Sequence, residues 1–187
     1  MQVLPNRQSI RLKWFDYTSS AFYFVTLCTY KREHFFGHIK NEKMHLSKAG
    51  SIAQSVWLSV PERFPGVQLD EFVFMPNHAH MLLIIYNRTN VSNMPAKFQA
   101  YMQEMMEEHH PELKEPYKPT ELWKVLRTFK GASTRLIRVA GTSNFGWQGR
   151  YWHEIVFNKT RLEDLREYIR NNPKTWERDK LYTPPNL

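Results

Sequence analysis

Residues 72–85, FVFMPNHAHMLLII, place the tightest constraint on what this chain can fold into. An apolar run ends at a Met-Pro-Asn break, and a second run, HAHMLLIIY over 78–86, opens on two histidines. Side chains alternate across a strand with a period of two, yet apolar residues fill both sets of positions in the second run. Such a strand must be covered on both faces, which puts it at the centre of a sheet with layers on either side. Pro76-Asn77 fits a tight connection, so VQLDEFVFM (67–75) and HAHMLLIIY are expected to form a hairpin.

The other elements arrange themselves around that pair. AFYFVTLCTY (21–30) is rich in β-branched and aromatic residues and predicts a strand. A helix should follow, capped by Ser47, with Ile52, Ala53, Val56, Trp57 and Val60 at helical spacing and Pro61 and Pro65 at its end. Residues 87–120 look like an insertion, with a helix in PAKFQAYMQEMMEEHH and a turn-rich linker in ELKEPYKPT. A second clear helix is expected from about Thr120, as N-cap, to Val139, and a fourth strand over 146–157. The last helix should begin at Thr160 in a capping box with Glu163, bury Leu162, Leu165 and Ile169, and fray near Asn172, ahead of Pro173. The order predicts an α+β fold: a ferredoxin-like β-α-β-β-α-β antiparallel sheet with an extra C-terminal helix, as one domain over 1–187.

Composition narrows the class. At 187 residues, with 42% hydrophobic and 14% aromatic side chains, the chain can fill a core of its own. No run approaches the roughly 18 apolar residues of a membrane span, and the basic N-terminus lacks the apolar stretch of a secretory signal. The single cysteine, Cys28, excludes an internal disulfide and a multi-cysteine zinc site. These features suit a cytoplasmic protein with no membrane partner.

Lys and Arg number 26 against 18 acids, a net charge of +8 that favours a polyanionic partner. At about 100° per residue, Lys124, Arg127, Arg135 and Arg138 fall within roughly 80° of one helix face. Leu122, Val125, Phe129, Ala132 and Leu136 take the opposite side. A cationic stripe without acids is a candidate phosphate track. Arg7, Arg11 and Lys13 in the N-terminal arm could add contacts, with Trp14 or Phe15 stacking on unpaired bases.

Period-two alternation points His78 and His80 to one face at the start of their strand, where solvent and substrate can reach. That spacing suits two imidazoles on one divalent metal, and equally two satisfied polar residues at a strand end. Tyr168 and Asn172 stand four apart and share a helix face. Asn172 could supply a metal oxygen beside Tyr168. On spacing alone, however, a packed tyrosine and a helix-ending asparagine is the better reading.

Taken together, MPNHAH and YIRNNP, with RQSIRLKWFDY, AFYFVTLCTYKREHFFG, LRTFKGASTR and WQGRYWHEIV, resemble the single-tyrosine transposases with a His-hydrophobic-His motif (IS200-like). Within them the chain more closely resembles the REP-associated tyrosine transposases. The resemblance spans most of 7–180, the insertion apart. It implies His78, His80 and Asn172 as ligands of a divalent metal, Mg²⁺ or Mn²⁺, and Tyr168 as nucleophile. The implied activity is cleavage and rejoining of single-stranded DNA beside a hairpin through a 5′-phosphotyrosine, by a monomer or homodimer. Members often carry Glu-His after the aromatic pair of the fourth strand, where this chain has His153-Glu154, so alternation turns His153 to the other face. Two rivals stand beside this reading. One is a domesticated hairpin-binding protein with little cleavage. The other is a zinc hydrolase, disfavoured by the lack of an obvious third strong ligand.

Overall fold

The computed structural model describes residues 15, 17, 20–86, 96, 99–100 and 120–184. Within them the order is β1 (Ala21–Cys28), β2 (Gly37–Lys40), β3 (Lys43–Leu46), α1 (Lys48–Leu58), a short α2 (Val60–Arg63), β4 (Val67–Met75), β5 (His78–Ile85), α3 (Leu122–Val139), β6 (Trp152–Val156) and α4 (Lys159–Asn171). A 3-10 helix over Asn172–Arg178 follows α4 directly. The 87–120 insertion lies almost wholly outside the described residues. None of the described helices is long and apolar enough to cross a membrane.

Four strands make one antiparallel sheet in the order β4-β5-β1-β6. With β2 and β3 set aside, this is the expected ferredoxin-like arrangement: β1 and β4 are joined through α1 and leave between them the slot that β5 fills. Every residue of β5 is buried, as its two-sided apolar pattern requires. The β2–β3 hairpin was not anticipated. Its turn residues Asn41 and Glu42 both take positive φ, 51° and 59°, the conformation that a two-residue hairpin turn demands.

The two faces carry different layers. On one, α3 packs beside α1, with Phe129 meeting Trp57 at 5.2 Å and Phe74 of β4 at 6.5 Å between ring centroids. On the other lies α4, where Tyr168 meets His80 at 5.1 Å and Phe24 at 6.1 Å. Pairing of Phe24 with Leu82 and of Thr26 with His80 fixes which side chains share that second face.

A bulge in β4 decides where α4 sits. Leu69 pairs with Leu83 and Phe72 with Met81, so Asp70 and Glu71 together oppose Leu82 alone. Two successive carboxylates are thereby turned to the face of Leu82, where regular alternation would have sent one away. Both meet α4: Asp70 pairs with Arg166, and Glu71 accepts from Arg170 Nε at 2.8 Å. At its other end α4 is held by Arg161, which donates to both Glu154 oxygens of β6 at 2.7 and 2.8 Å. The helix thus crosses the sheet from one edge strand to the other.

Several expected boundaries move. Ser47 does cap α1, accepting from Gly50 N at 3.1 Å. The cap of α4 is Asn158, whose Oδ1 accepts from Arg161 N at 2.8 Å, so Thr160 falls inside the first turn. Asparagine caps as well as threonine and comes first in the chain. In α3 the cap position is Glu121, not Thr120. The fourth strand proper starts at Trp152, although the expected start near 146 leaves its mark in an isolated antiparallel bridge between Trp147 and Thr29; between them Lys130 Nζ binds the carbonyls of Gln148 and Gly149 at 2.6 and 3.2 Å.

Candidate active site

His78 and His80 project from the start of β5 with their Nε2 atoms 3.1 Å apart. Each ring is oriented through its other nitrogen. His78 Nδ1 donates to Asn77 Oδ1 at 2.8 Å, and His80 Nδ1 lies 2.9 Å from the Thr26 hydroxyl. Holding Nδ1 aims Nε2 at a ligand, the arrangement that metal-binding histidines use. Burial holds both imidazoles below their ordinary range, His78 well below it, and for His78 the neighbouring His80 adds to the effect. Both are therefore neutral at pH 7, the state in which an imidazole binds a metal.

The strand mouth is not open. His78 is fully buried and His80 is 3% exposed, because the chain after α4 folds back over them. Asn77 Nδ2 donates to Leu181 O at 2.9 Å and to Thr183 Oγ1 at 3.0 Å, and the Trp176 ring lies 5.8 Å from His78. Asn77 is thus more than a turn residue: one end of its amide orients a histidine and the other holds the returning chain.

Tyr168 and Asn172 both reach the pair. The Tyr168 hydroxyl is 3.1 Å from His80 Nε2 and donates to Asp179 Oδ2 at 3.2 Å. Asn172, on the 3-10 helix that prolongs α4, is 1% exposed and donates from Nδ2 to the same Asp179 oxygen at 3.0 Å. Its Oδ1 is buried without a hydrogen-bond partner, an unmet acceptor at a site of neutral nitrogens. Burial, and then the Asp179 carboxylate, push the Tyr168 phenol up to about 12.

Asp179 is the member that spacing did not reveal. His78, His80 and Asp179 offer ligand atoms that all lie within 4.8 Å of one another. Burial alone would raise the Asp179 carboxyl, but His80, the Leu181 amide and Asn172 hold it well below the usual carboxylate range. The third strong ligand missing from the zinc-hydrolase reading is therefore present, although no Glu stands in an H-E-x-x-H arrangement. Asp179 sits in a turn beyond Pro173, where no periodicity marks it. In sequence it is one of two acids alternating with bases in WERDK, with nothing to set it apart from Glu177.

The basic residues lie elsewhere. Lys124, Arg127, Arg135 and Arg138 are all exposed along α3, in the layer on the far side of the sheet from Tyr168. Lys124 pairs with Glu121 at 3.2 Å, an acid from just before the helix, and Arg138 Nε donates to Phe145 O at 2.9 Å. The inward stripe ends on Ile137, while Leu136 is 37% exposed. Arg7, Arg11, Lys13 and Trp14 fall outside the described residues. Phe15 is buried against Tyr17 and Phe157 and cannot stack on a base. His153 sits 3.3 Å from the Tyr17 hydroxyl and pairs with Val25, on the face away from His80.

Known proteins resemble this chain in sequence and in fold. An uncharacterised protein of Haemophilus influenzae (strain ATCC 51907 / DSM 11121 / KW20 / Rd) is 35% identical over 180 residues, 96% of this chain and 94% of that protein. Among solved structures, a REP-associated tyrosine transposase bound to a REP hairpin superposes with a TM-score of 0.56 at 15% identity, covering 91% of this chain and 76% of the other. That likeness is one of fold. The family described as "Transposase IS200 like" matches residues 17–125, a span that includes His78 and His80 and stops short of Tyr168. With more than half its length so matched, the chain belongs to the IS200-like transposase family.

Proposed function

We propose that this transposase is a metal-dependent single-strand DNA endonuclease and strand-transfer enzyme that cuts beside a hairpin through a covalent phosphotyrosine on Tyr168. The observation that carries the reading is the Tyr168 hydroxyl, brought within 3.1 Å of His80 from 88 residues away. His78, His80 and Asp179 would hold the divalent cation, with the unpartnered Asn172 Oδ1 as a further oxygen. Two nitrogens with oxygen donors suit Mn²⁺, and Mg²⁺ more weakly. When bound, the cation supplies positive charge that offsets the charge gained by the phosphodiester and eases loss of the phenolic proton.

Tyr168 oxygen attacks phosphorus and the bond from phosphorus to O3′ breaks. The 5′-phosphate is left on the tyrosine, and O3′ takes up a proton. The ester is kept, so a second 3′-hydroxyl can reverse the step without ATP. Asp179 accepts the Tyr168 hydrogen bond, but its lowered pKa makes the carboxylate a weak base, so it orients the phenolic proton more than it removes it. Lys124, Arg127, Arg135 and Arg138 would track the phosphates of the hairpin. Arg127 and Arg135 present the least engaged charge.

Tyr168→Phe should bind a labelled DNA hairpin with a single-stranded flank, yet form no covalent adduct in Mn²⁺. Cleavage should drop by at least about a thousandfold. Equal cleavage by wild type and variant would remove Tyr168 as nucleophile. A second reading, hairpin binding with little cleavage, draws on the raised Tyr168 phenol and its contact with Asp179. Its signature would be tight hairpin binding with no adduct from the wild-type protein at any Mn²⁺ concentration.

A further inference from the structure

A cavity of about 720 Å³ opens beside Tyr168, and the chemistry above uses only one wall of it. Its lining includes His80, Phe24, Trp152, Arg178 and Lys180. Trp152 is 46% exposed although it lies on a sheet strand, an unusual position for the largest apolar side chain. Alternation explains why it points here. Trp152 pairs with Thr26, which pairs with His80, so all three share the face that α4 covers.

The rings form a continuous row. Trp152 meets Phe24 edge-on at 5.7 Å, and Phe24 stacks on His80 at 5.3 Å with 20° between planes. Phe24 also meets Tyr168 at 6.1 Å. The half-bare indole thus ends an aromatic row that begins at the nucleophile. Arg178 and Lys180 flank it, and among the described residues neither is in an ion pair. The volume falls within the roughly 300–1,000 Å³ of ligand clefts, room for a nucleotide and not for a duplex.

We propose that this cavity seats one unpaired nucleobase of the bound strand, stacked on Trp152, with Arg178 and Lys180 against the adjoining phosphate. The inference rests on the reading of the site as one that handles single-stranded DNA. Every base has a π-face, so a single indole serves any sequence, and a base stacked there lies within two rings of Tyr168. A paired base could not enter. The pocket therefore selects for the single strand next to the hairpin rather than for the hairpin itself.

The test uses the full chain as Tyr168→Phe, which cannot cleave, and two probes: a blunt DNA hairpin and the same hairpin with a short thymine tail. In a series of tails, one base at a time is replaced by an abasic site, and binding is read by fluorescence anisotropy. One abasic position should weaken binding about tenfold. In Trp152→Leu the intact tail should bind about tenfold more weakly, the same abasic position should cost nothing further, and the blunt hairpin should bind unchanged. Trp152→Phe should recover most of the loss, and Arg178→Ala should make tail binding less dependent on salt. The pocket is overturned if Trp152→Leu binds the tailed hairpin as tightly as its parent, or if it loses the blunt hairpin equally. If the parent binds neither probe, the DNA-handling reading itself fails, a separate outcome.

Discussion

The two faces of the sheet are built on different terms. Under α1 and α3 the contacts are aromatic and aliphatic: Trp57, Phe74 and the half-buried Trp147 all meet Phe129, and Trp57, Phe74 and Phe129 are sealed from water. Under α4 the sheet presents His78, His80 and Thr26 beside Phe24, and the helix adds ion pairs at its ends and along one side to the burial of Leu162, Leu165 and Ile169. The first face can hold the molecule together without specifying any atom's position closely. The second gives up apolar area to set a phenol and two imidazoles within hydrogen-bond distance. The candidate site lies wholly on one side of the sheet.

That division can be broken from either side. The largest loss of stability should come from Phe129→Ala, which empties the centre of the sealed face. Urea unfolding should show about 3–5 kcal/mol lost, while Mn²⁺ affinity of the folded protein, read by calorimetry, stays as it was. A large drop in Mn²⁺ affinity with the fold intact would mean that the faces are not independent.

Asp70→Ala attacks the other face. It removes the carboxylate beside Arg166, whose side chain is 18% exposed, and should cost about 1–3 kcal/mol. Cleavage should fall more than stability implies, because the helix bearing Tyr168 loses one of its two ties to β4. Mn²⁺ binding at His78 and His80 should be nearly unchanged. Unaltered cleavage would show that Arg161 and Arg170 suffice to place the helix.

Acid should act on the second face alone, and more gently. His78 and His80 have folded-state affinities for protons below those of the unfolded chain, so the unfolded state takes up protons first as pH falls. Stability from this source is complete above about pH 6.5 and is lost as pH drops below it. Thermal melts from pH 7 to 5 should slope downward, and His80→Asn should flatten the slope. Because the slope is read, any shift in the variant's absolute stability does not confuse the result. A slope equal to wild type would contradict the assignment.

How much of this was legible beforehand follows the same division. The central strand, the hairpin at Pro76-Asn77 and the sheet order could all be read, because apolar periodicity reports burial directly. The shared face of His78 and His80 followed from alternation, and that of Tyr168 and Asn172 from helical spacing. The β2–β3 hairpin escaped because its strands are four residues each, too short for the alternation of Ile39, Met44 and Leu46 to stand out. Asp179 and the covering of the histidines escaped for another reason. A chain that reverses through a 3-10 helix after Pro173 has no period from which its destination could be inferred. The inward stripe of α3 was misplaced by one residue at its end, Leu136 for Ile137, a drift that accumulates over eighteen residues.

The bulge at Asp70 and Glu71 makes the length of one strand a matter of catalysis. Deleting either residue would restore a regular ladder and leave β4 a good strand. Yet only one carboxylate would then stand opposite Leu82, and one of the helix's two moorings on β4 would be gone. An indel of one residue, harmless to the sheet by the usual measure of loop and strand tolerance, would leave the tyrosine helix tied at a single point on that edge. Among relatives of this chain, residue counts between the β4 start and MPNHAH should therefore vary less than those of any surface loop.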